Sequence, residues 1–441
     1  MILLVLLLLG FVIISYYPRL TIVTGFSAKS VASGMFFANR TQESIEEGDN
    51  DFSLLPLSEN EVNTKDRTVS SSIVGLKDRK AIFTDGLGAT LLPENPTRAG
   101  NKLIPNRKFI KLDLPFPYGD LPQKDTVFAE VDQVKLKAAI DNAFDKDEER
   151  IKGTRSVILV YKDQIIGEKY ADGFDENTPI LGWSMTKSIT ATIYGILQKN
   201  GQVNIYDKTG IKAWQNDSRS EITYNDLLQM NSGLEWDEDY GDISDVTSML
   251  YKAEEMGRIQ LEKPQTGKIN ESWNYSSGTS NLLAGYLLKE IFKDHQTYLD
   301  FWYAELIDKI GMHSALIETD FLGNFVGSSY AWATTRDWAK FGLLYLHKGN
   351  WNGEQIFDPE WSKYVATPTN GSNGRYGAHF WLNAGGHFPD VPKDMYSANG
   401  FQGQTVAIIP SKDLVIVRMG LVEDPDFDFN KFLSEVINSI H

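Results

Sequence analysis

The sequence contains no cysteine, and this absence excludes several kinds of site at once. A chain without thiols has no disulfide, no thiolate metal ligand and no cysteine nucleophile. Histidine is also scarce, because the chain has only six histidines and none of them forms an HExxH or HxH pair. A zinc hydrolase is therefore poorly supported, and we expect neither a metal ion nor an organic cofactor.

Positive charge is also in short supply. Lys and Arg number 43 against 59 Asp and Glu, which gives a formal net charge of −16. No basic run is dense enough to neutralise a phosphate backbone, so nucleic acid is not an expected partner. With 441 residues, of which 42% are hydrophobic, the chain can bury a large core.

One long hydrophobic run is present, and it lies at the N-terminus. Residues 1–17, MILLVLLLLGFVIISYY, carry no charge and are followed by Pro18 and Arg19. At ~1.5 Å per residue the run is at the short limit for spanning a bilayer. The pattern favours a signal anchor over a cleaved signal peptide or a buried core helix. We therefore expect a membrane-anchored protein whose catalytic domain is periplasmic or otherwise extracytoplasmic.

The order of predicted elements indicates the fold class. A helix over 132–145 precedes a hairpin around Asp163, and a second hairpin around Ser411 is followed by a closing helix. The intervening segment is mainly helical. We predict an α/β (α+β) fold in which an antiparallel sheet, closed by both ends of the chain, is flanked by helices. The predicted divisions are an anchor (1–17), an extension (18–105) and a hydrolase domain (106–441).

The stretch LGWSMTKSIT places Ser184 and Lys187 three positions apart at the predicted start of a helix. Positions i and i+3 share one helical face, so the lysine amine can reach the serine hydroxyl and act as its base. Taken alone the motif is weak, because a helix-capping serine beside a solvated lysine has the same spacing.

Two further elements strengthen the interpretation. WNYSSGTSNLL supplies Tyr275 and Ser277 before another helix, and YSANGFQGQTVAIIP supplies a glycine-rich entry to a strand. The tyrosine could relay the proton of the serine, and backbone N–H groups near Gly400 could face an oxyanion. The alternatives are a packed aromatic side chain and an ordinary turn.

Together these motifs resemble the serine β-lactamase and penicillin-binding-protein superfamily, in its class C, carboxylesterase and 6-aminohexanoate-dimer hydrolase branch. The resemblance runs from about residue 106 to the end and includes SMTKS, YSSGTSNLL and GFQGQTVAIIPSKDLVIV. It implies a β-lactamase-like fold and an enzyme that forms an acyl-serine.

The resemblance also implies roles for individual residues. Ser184 is the expected nucleophile, Lys187 its base and Tyr275 the proton relay, while the backbone N–H groups of Ser184 and Phe401 would form an oxyanion hole. The residues expected to bind substrate are Tyr240, Trp381, Ser277 and Gly400. For Tyr240 and Trp381, ordinary aromatic packing is the alternative.

The sequence departs from the true β-lactamases in one respect, because the K-T-G triad is missing. The corresponding strand reads Met395-Tyr396-Ser397 or Asn399-Gly400-Phe401, depending on the alignment. A β-lactam carboxylate would lose its usual cation there. The expected substrate is a small-molecule amide or ester. The alternatives are a cell-wall D,D-peptidase or penicillin-recognising enzyme, and a catalytically silent binding protein.

Overall fold

The computed structural model describes residues 2–109, 111–119, 121–124, 126–146 and 152–441, with side chains from residue 17 onward. The N-terminal region combines a long helix with an antiparallel sheet whose strands follow chain order. Helix α1 packs across the middle strands of this sheet. The elements of the N-terminal region are α1 (Ile2–Phe36), α2 (Gln42–Glu46), β1 (Glu59–Asn63), β2 (Thr68–Ile73), β3 (Leu76–Thr84) and β4 (Gly88–Leu91).

A buried ion pair joins α1 to the rest of the protein. Lys29 Nζ donates to the carboxylate of Glu318 and to the carbonyl oxygen of Ala89. The same carboxylate accepts hydrogen bonds from Ser33 Oγ at 2.5 Å and from Trp332 Nε1 at 3.0 Å. Both charged side chains are at most 1% exposed. Because buried charges are costly unless they are paired and hydrogen-bonded, this contact fixes the second half of α1 within the protein core.

The predicted membrane anchor requires a correction. Among the described residues, no helix is both long and apolar enough to cross a membrane. The helix that contains the hydrophobic run continues to Phe36, and its second half buries polar side chains at Thr24, Ser27, Lys29 and Ser33. The predictions of a membrane partner and of an extracytoplasmic catalytic domain held by an anchor are therefore wrong. The side chains of residues 2–16, which carried most of that signal, lie outside the described part.

The first hairpin of the main sheet follows helix α3 (Gln133–Ala143). Its strands are β5 (Thr154–Tyr161) and β6 (Gln164–Tyr170). The turn residues Lys162 and Asp163 have φ values of 49° and 63°. Consecutive positive φ values are typical of the tight turns that suit the twist of a hairpin.

A long segment between this hairpin and the last strands is mainly helical, as predicted. Its core contains the largest buried hydrophobic cluster. The elements are β7 (Ile180–Leu181), α4 (Met185–Lys199), α5 (Tyr224–Leu228), α6 (Asp245–Lys252), α7 (Met256–Leu261), α8 (Ser277–Asn281), α9 (Leu288–Phe292), α10 (His295–Trp302), β8 (Leu316–Ile317), β9 (Ala331–Ala333), α11 (Thr335–Leu346), β10 (Asn350–Trp351), β11 (Glu354–Gln355) and α12 (Pro359–Val365).

The chain then completes a six-stranded antiparallel sheet, in the order β12-β13-β14-β15-β5-β6. The remaining elements are β12 (Trp381–Leu382), β13 (Tyr396–Gly400), β14 (Gln404–Ile409), β15 (Leu414–Gly420) and α13 (Phe429–Ile437). Pairing of β15 with β5 brings the two ends of the hydrolase region together. The predicted sheet, flanking helices and helical insert are confirmed.

The two faces of this sheet bury different sets of helices. Along β5, Ile158 and Val160 belong to the cluster that includes α4 and α11. Their neighbours Val157 and Leu159 belong to the cluster that includes α3 and α13. Successive side chains of a strand point to opposite faces, so a strand covered on both faces is apolar throughout. This explains the continuous SVILVY run.

Candidate active site

Ser184 lies in the turn between β7 and α4. The preceding residue, Trp183, has a φ of 48°, and a Cβ on Gly182 would lie 2.3 Å from the ring of Trp338. The side chain of Ser184 makes no capping hydrogen bond to α4, although it stands at the N-cap position. Its hydroxyl therefore remains available to other groups, at the positive end of a buried helix.

Lys187 lies one turn further along α4, and its side chain is 1% exposed. Its Nζ is 2.8 Å from Ser184 Oγ, 2.8 Å from Ser277 Oγ and 3.0 Å from the carbonyl oxygen of Ser328. Burial lowers the pKa of Lys187 to about 8, and the negative charge of Glu238 acts in the opposite direction. Since burial disfavours the charged amine, this lysine can supply a neutral lone pair at mildly alkaline pH.

Tyr275 lies close to the lysine, with its ring centroid 4.8 Å from Lys187 Nζ. Burial raises the pKa of the Tyr275 phenol well above its ordinary value, and Tyr376 and Glu238 raise it further, whereas the hydroxyl of Ser184 lowers it. The phenol is consequently protonated near neutral pH and is suited to donating a hydrogen bond or a proton.

Glu238 is a member of the site that sequence reasoning missed. Its carboxylate accepts hydrogen bonds from the Ser277 amide at 2.8 Å, from Ser277 Oγ at 2.5 Å and from Trp236 Nε1 at 2.5 Å. Burial raises the pKa of Glu238, while Lys187 and these hydrogen bonds lower it. Ser277 thus connects the carboxylate to the lysine amine.

Nothing in the sequence singled out Glu238. It lies in the acidic run EWDEDYGD, which has several carboxylates and no regular element in the structure. Charged runs of this kind usually form solvated loops, and only the packing of the loop turns one carboxylate inward.

The end of β13 approaches the Ser184 turn closely. A Cβ on Gly400 would lie 2.1 Å from the carbonyl oxygen of Gly182, so a larger residue does not fit there. Phe401 follows, and its ring lies 5.5 Å from that of Trp183. The glycine therefore allows the strand carrying Phe401 to lie beside the turn carrying Ser184.

A cavity of about 310 Å³ opens at this junction. Six of the predicted site residues line it: Ser184, Tyr240, Tyr275, Trp381, Gly400 and Phe401. The other two, Lys187 and Ser277, are at most 1% exposed and contact each other through their polar atoms. The structure thus brings together all of the predicted residues, which are up to 217 positions apart in the sequence.

Aromatic rings form much of the cavity wall. Tyr240 stacks on Phe401 with centroids 5.0 Å apart and an interplanar angle of 11°. The rings of Tyr275 and Trp381 also line the cavity, and their centroids lie 5.3 Å apart. Such walls favour apolar or planar groups, because ring faces bury large areas without demanding hydrogen bonds.

Besides Glu238, four acidic or basic side chains among the described residues border the cavity, and they are solvent-exposed. They are Arg375, His387, Glu423 and Asp424. On β13 itself, the residues that face the cavity include Ser397 and Asn399, which are uncharged. The strand beside Ser184 therefore provides no cation, and the exposed Arg375 comes from a separate loop.

Comparisons with known proteins agree with this geometry. The family model named Beta-lactamase matches residues 140–430. No curated protein sequence matches the chain significantly. Among solved structures, the "Putative 6-aminohexanoate-dimer hydrolase from Bacillus anthracis" has a TM-score of 0.56 at 22% identity, over 69% of this chain and 80% of that one.

Two other solved structures have a similar backbone. A family VIII carboxylesterase gives a TM-score of 0.53 at 14% identity, over 72% of this chain and 99% of its own. A penicillin-binding protein from Bacillus halodurans gives 0.52 at 15% identity, over 66% and 97%. At such identities the likeness establishes the fold. Together with the family match over most of the chain, it confirms the predicted superfamily: the chain belongs to the β-lactamase family and is a serine hydrolase.

Proposed function

We propose that this protein hydrolyses an ester or amide bond through an acyl-enzyme formed on Ser184. Neutral Lys187 removes the proton from Ser184 Oγ, and the oxygen attacks the carbonyl carbon of the substrate. The negative charge then formed on the carbonyl oxygen is stabilised by the backbone N–H groups of Ser184 and Phe401. The hydrolase domain is taken as residues 106–441.

The intermediate collapses when the bond to the leaving group breaks. Tyr275 donates its proton to the departing oxygen or nitrogen and is reprotonated from the Lys187 ammonium. In the second half-reaction a water molecule loses a proton to the neutral lysine and attacks the acyl carbon. The bond to Ser184 Oγ then breaks, the carboxylic acid product leaves, and the Lys187 ammonium returns its proton to Ser184 Oγ.

One observation carries this proposal. Lys187 Nζ lies 2.8 Å from Ser184 Oγ in a buried setting that lowers the pKa of the lysine to about 8. A nucleophile and its base at hydrogen-bond distance, with the base titrating near the working pH, are the two requirements for serine activation. Glu238 stabilises the lysine after it has accepted the proton, because its negative charge favours the ammonium form.

The substrate class follows from the lining of the cavity. Enzymes that select a β-lactam or a peptide C-terminus supply a cation beside the scissile bond. Here β13 presents Ser397 and Asn399 instead. The aromatic walls suit uncharged acyl groups, so an esterase or amidase is favoured over a D,D-peptidase, a β-lactamase or a silent binding protein.

A fluorophosphonate probe tests the nucleophile. The intact protein is expected to be labelled on Ser184, as read by mass spectrometry, and to turn over members of a panel of chromogenic esters and amides. Ser184→Ala should lose the label and at least about 10⁴-fold in kcat/KM, since the whole acyl pathway depends on this oxygen. Its unfolding free energy should stay within about 1 kcal/mol of wild type, because no capping hydrogen bond is removed. Wild-type turnover by a folded Ser184→Ala variant would disprove the assignment.

A further inference from the structure

A second cavity, of about 260 Å³, lies beside the first. We call it the extension cavity. It is enclosed between α1, the segment 52–55 that follows α2, and residues 240–251. Neither α1 nor the segment 52–55 falls within residues 140–430, which match the β-lactamase family model. More than half of the residues that line this cavity therefore lie outside the family match.

The interior of the extension cavity is mostly apolar. Its walls include the side chains of Ile22, Val23 and Phe26 from α1 and of Leu55, Ile243 and Tyr251 from the facing segments. Four residues with hydroxyl groups also line it, namely Ser53, Thr247, Tyr240 and Tyr251, and its two charged residues form a pair.

Those charged residues are Arg19 and Asp242, which form a salt bridge of 2.8 Å. Their side chains are 34% and 48% exposed, which places the pair at the solvent boundary of the cavity rather than in its interior. Because the two charges offset each other, the cavity has no net charge with which to attract an ionic group. We therefore expect this cavity to bind an uncharged, apolar part of a ligand.

The extension cavity adjoins the active-site cavity. Tyr240 lines both of them. Its stacking partner Phe401 contacts Phe52 across 5.7 Å, and Trp183, which precedes Ser184, contacts Phe26 across 5.8 Å. The two cavities are therefore neighbours that share a wall of aromatic rings at Tyr240. An acyl chain that extended past this side chain from Ser184 would reach the extension cavity.

The size of the extension cavity limits its occupant. It is smaller than the 300–1,000 Å³ that is typical of pockets for drug-sized ligands. A helix or a folded partner would not fit, whereas a single unbranched hydrocarbon chain would. Burying such a chain is favourable in proportion to the apolar area removed from water.

We propose that the extension cavity is an acyl-chain subsite, which accepts the aliphatic arm of an ester or amide substrate whose carbonyl lies at Ser184. This inference rests on the proposed function and adds a substrate class to it: acyl groups of medium chain length. The preference comes from the N-terminal extension, because α1 and the segment 52–55 supply one side of the subsite.

A series of p-nitrophenyl esters from acetate to decanoate tests the subsite in the full chain. In the wild-type enzyme, kcat/KM should rise roughly threefold to fourfold with each methylene that enters the cavity. Val23→Trp fills the cavity and should lower the decanoate-to-acetate ratio of kcat/KM at least tenfold. Ile243→Trp fills it from the opposite wall and is the second variant if the first does not fold.

Val134→Trp is the matched control, since Val134 is 81% exposed on α3 and borders neither cavity. Its ratio should equal that of the wild type. An unchanged ratio in a folded Val23→Trp or Ile243→Trp variant would overturn the subsite, as would equal losses for acetate and decanoate.

Calorimetry separates failure of the subsite from failure of the proposed chemistry. The uncharged ester p-nitrophenyl decanoate should bind to Ser184→Ala without being cleaved, and Val23→Trp in that background should weaken its binding at least tenfold. Ester turnover without this chain-length dependence would refute the subsite but would still support the proposed hydrolase function. Binding of the decanoate ester without labelling or turnover at Ser184 would support the cavity and refute the proposed function. Absence of binding of the decanoate ester would count against the subsite.

Discussion

Two buried lysines, Lys29 in α1 and Lys187 in α4, occupy contrasting environments. Both side chains are about 1% exposed. Lys29 contacts the carboxylate of Glu318 directly, and that carboxylate is also held by Ser33 and Trp332. Among the described residues, Lys187 has only hydroxyl and carbonyl oxygens within hydrogen-bond distance, and Ser277 connects it to Glu238.

The comparison shows how the position of one carboxylate separates a structural lysine from a candidate base. A directly paired ammonium has its charge offset and its protons committed to hydrogen bonds. An ammonium one residue away from its counter-charge is stabilised less, so burial dominates and lowers its pKa, to about 8 for Lys187. The predictions below test this difference.

Within the comparison of the two lysines, the largest expected effect is the loss of base function at Lys187. Lys187→Arg keeps the positive charge but cannot deprotonate, because the guanidinium pKa is far above the working range. We expect kcat/KM for a chromogenic ester to fall on the order of 10³-fold while the protein stays folded by circular dichroism. If the arginine variant keeps most of its activity, Lys187 acts only as a positive charge. Lys187 would then not be a catalytic base, and the proposed difference from the ion-paired Lys29 would not hold.

The corresponding change at Lys29 should affect stability instead. Lys29→Met leaves Glu318 buried without its counter-ion, which costs about 3–5 kcal/mol of unfolding free energy. Denaturant unfolding measures this loss, and the double variant Lys29→Met, Glu318→Gln should recover most of it. The specific activity of folded Lys29→Met, assayed at low temperature, should remain within about threefold of wild type. A stability equal to wild type would mean that the pair does not hold α1 in place.

The pH profile sharpens the comparison further. If neutral Lys187 is the base, kcat/KM for a non-ionising ester should rise with pH through an apparent pKa of about 8. The negative charge of Glu238 raises the pKa of Lys187. Glu238→Gln should therefore shift the rising limb of the pH profile to lower pH. Asp239→Asn changes the adjacent, exposed carboxylate and should not shift the limb. A limb that stays in place or moves upward in Glu238→Gln would contradict the coupling.

The smallest predicted effect concerns β13, where the lysine of the K-T-G triad of true β-lactamases is missing. Since β13 offers Ser397 and Asn399 rather than a cation, a β-lactam carboxylate lacks a cationic partner on the strand beside Ser184. Short-chain esters or linear amides should therefore exceed penicillins and cephalosporins in kcat/KM by at least tenfold, which corresponds to about 1.4 kcal/mol. A panel of both substrate types measures the ratio. A β-lactam that is hydrolysed faster than every ester and amide would place the enzyme with the lactamases.

Features encoded by short stretches were predictable from the sequence. The hairpin turn at Asp163, the apolar strand SVILVY and the i, i+3 pair of Ser184 and Lys187 all depend on neighbours within a few residues. Local backbone geometry fixes such features, so pattern and spacing are sufficient to find them. The motifs around Tyr275 and Gly400 were found in the same way, although their approach to Ser184 depends on the fold.

The errors and omissions concern contacts between distant segments. The hydropathy of residues 1–17 does not show that the same helix continues to Phe36 and buries Lys29 against Glu318. The acidic run around Glu238 gives no sign of which carboxylate turns inward. The extension cavity also needs side chains from three separated parts of the chain.

The sequence by itself determined the family, the fold class and the two hairpins of the main sheet, and it placed Ser184 and Lys187 on one face of a helix. Only the tertiary structure decided that Lys29 is paired while Lys187 is not, that Glu238 acts on the lysine through Ser277, and that α1 forms a wall beside the active site. The physical reason is that burial and electrostatic environment depend on which distant groups come within a few ångströms. A hydrogen-bond partner 90 positions away, as Ser277 is from Lys187, leaves no periodic trace in the sequence.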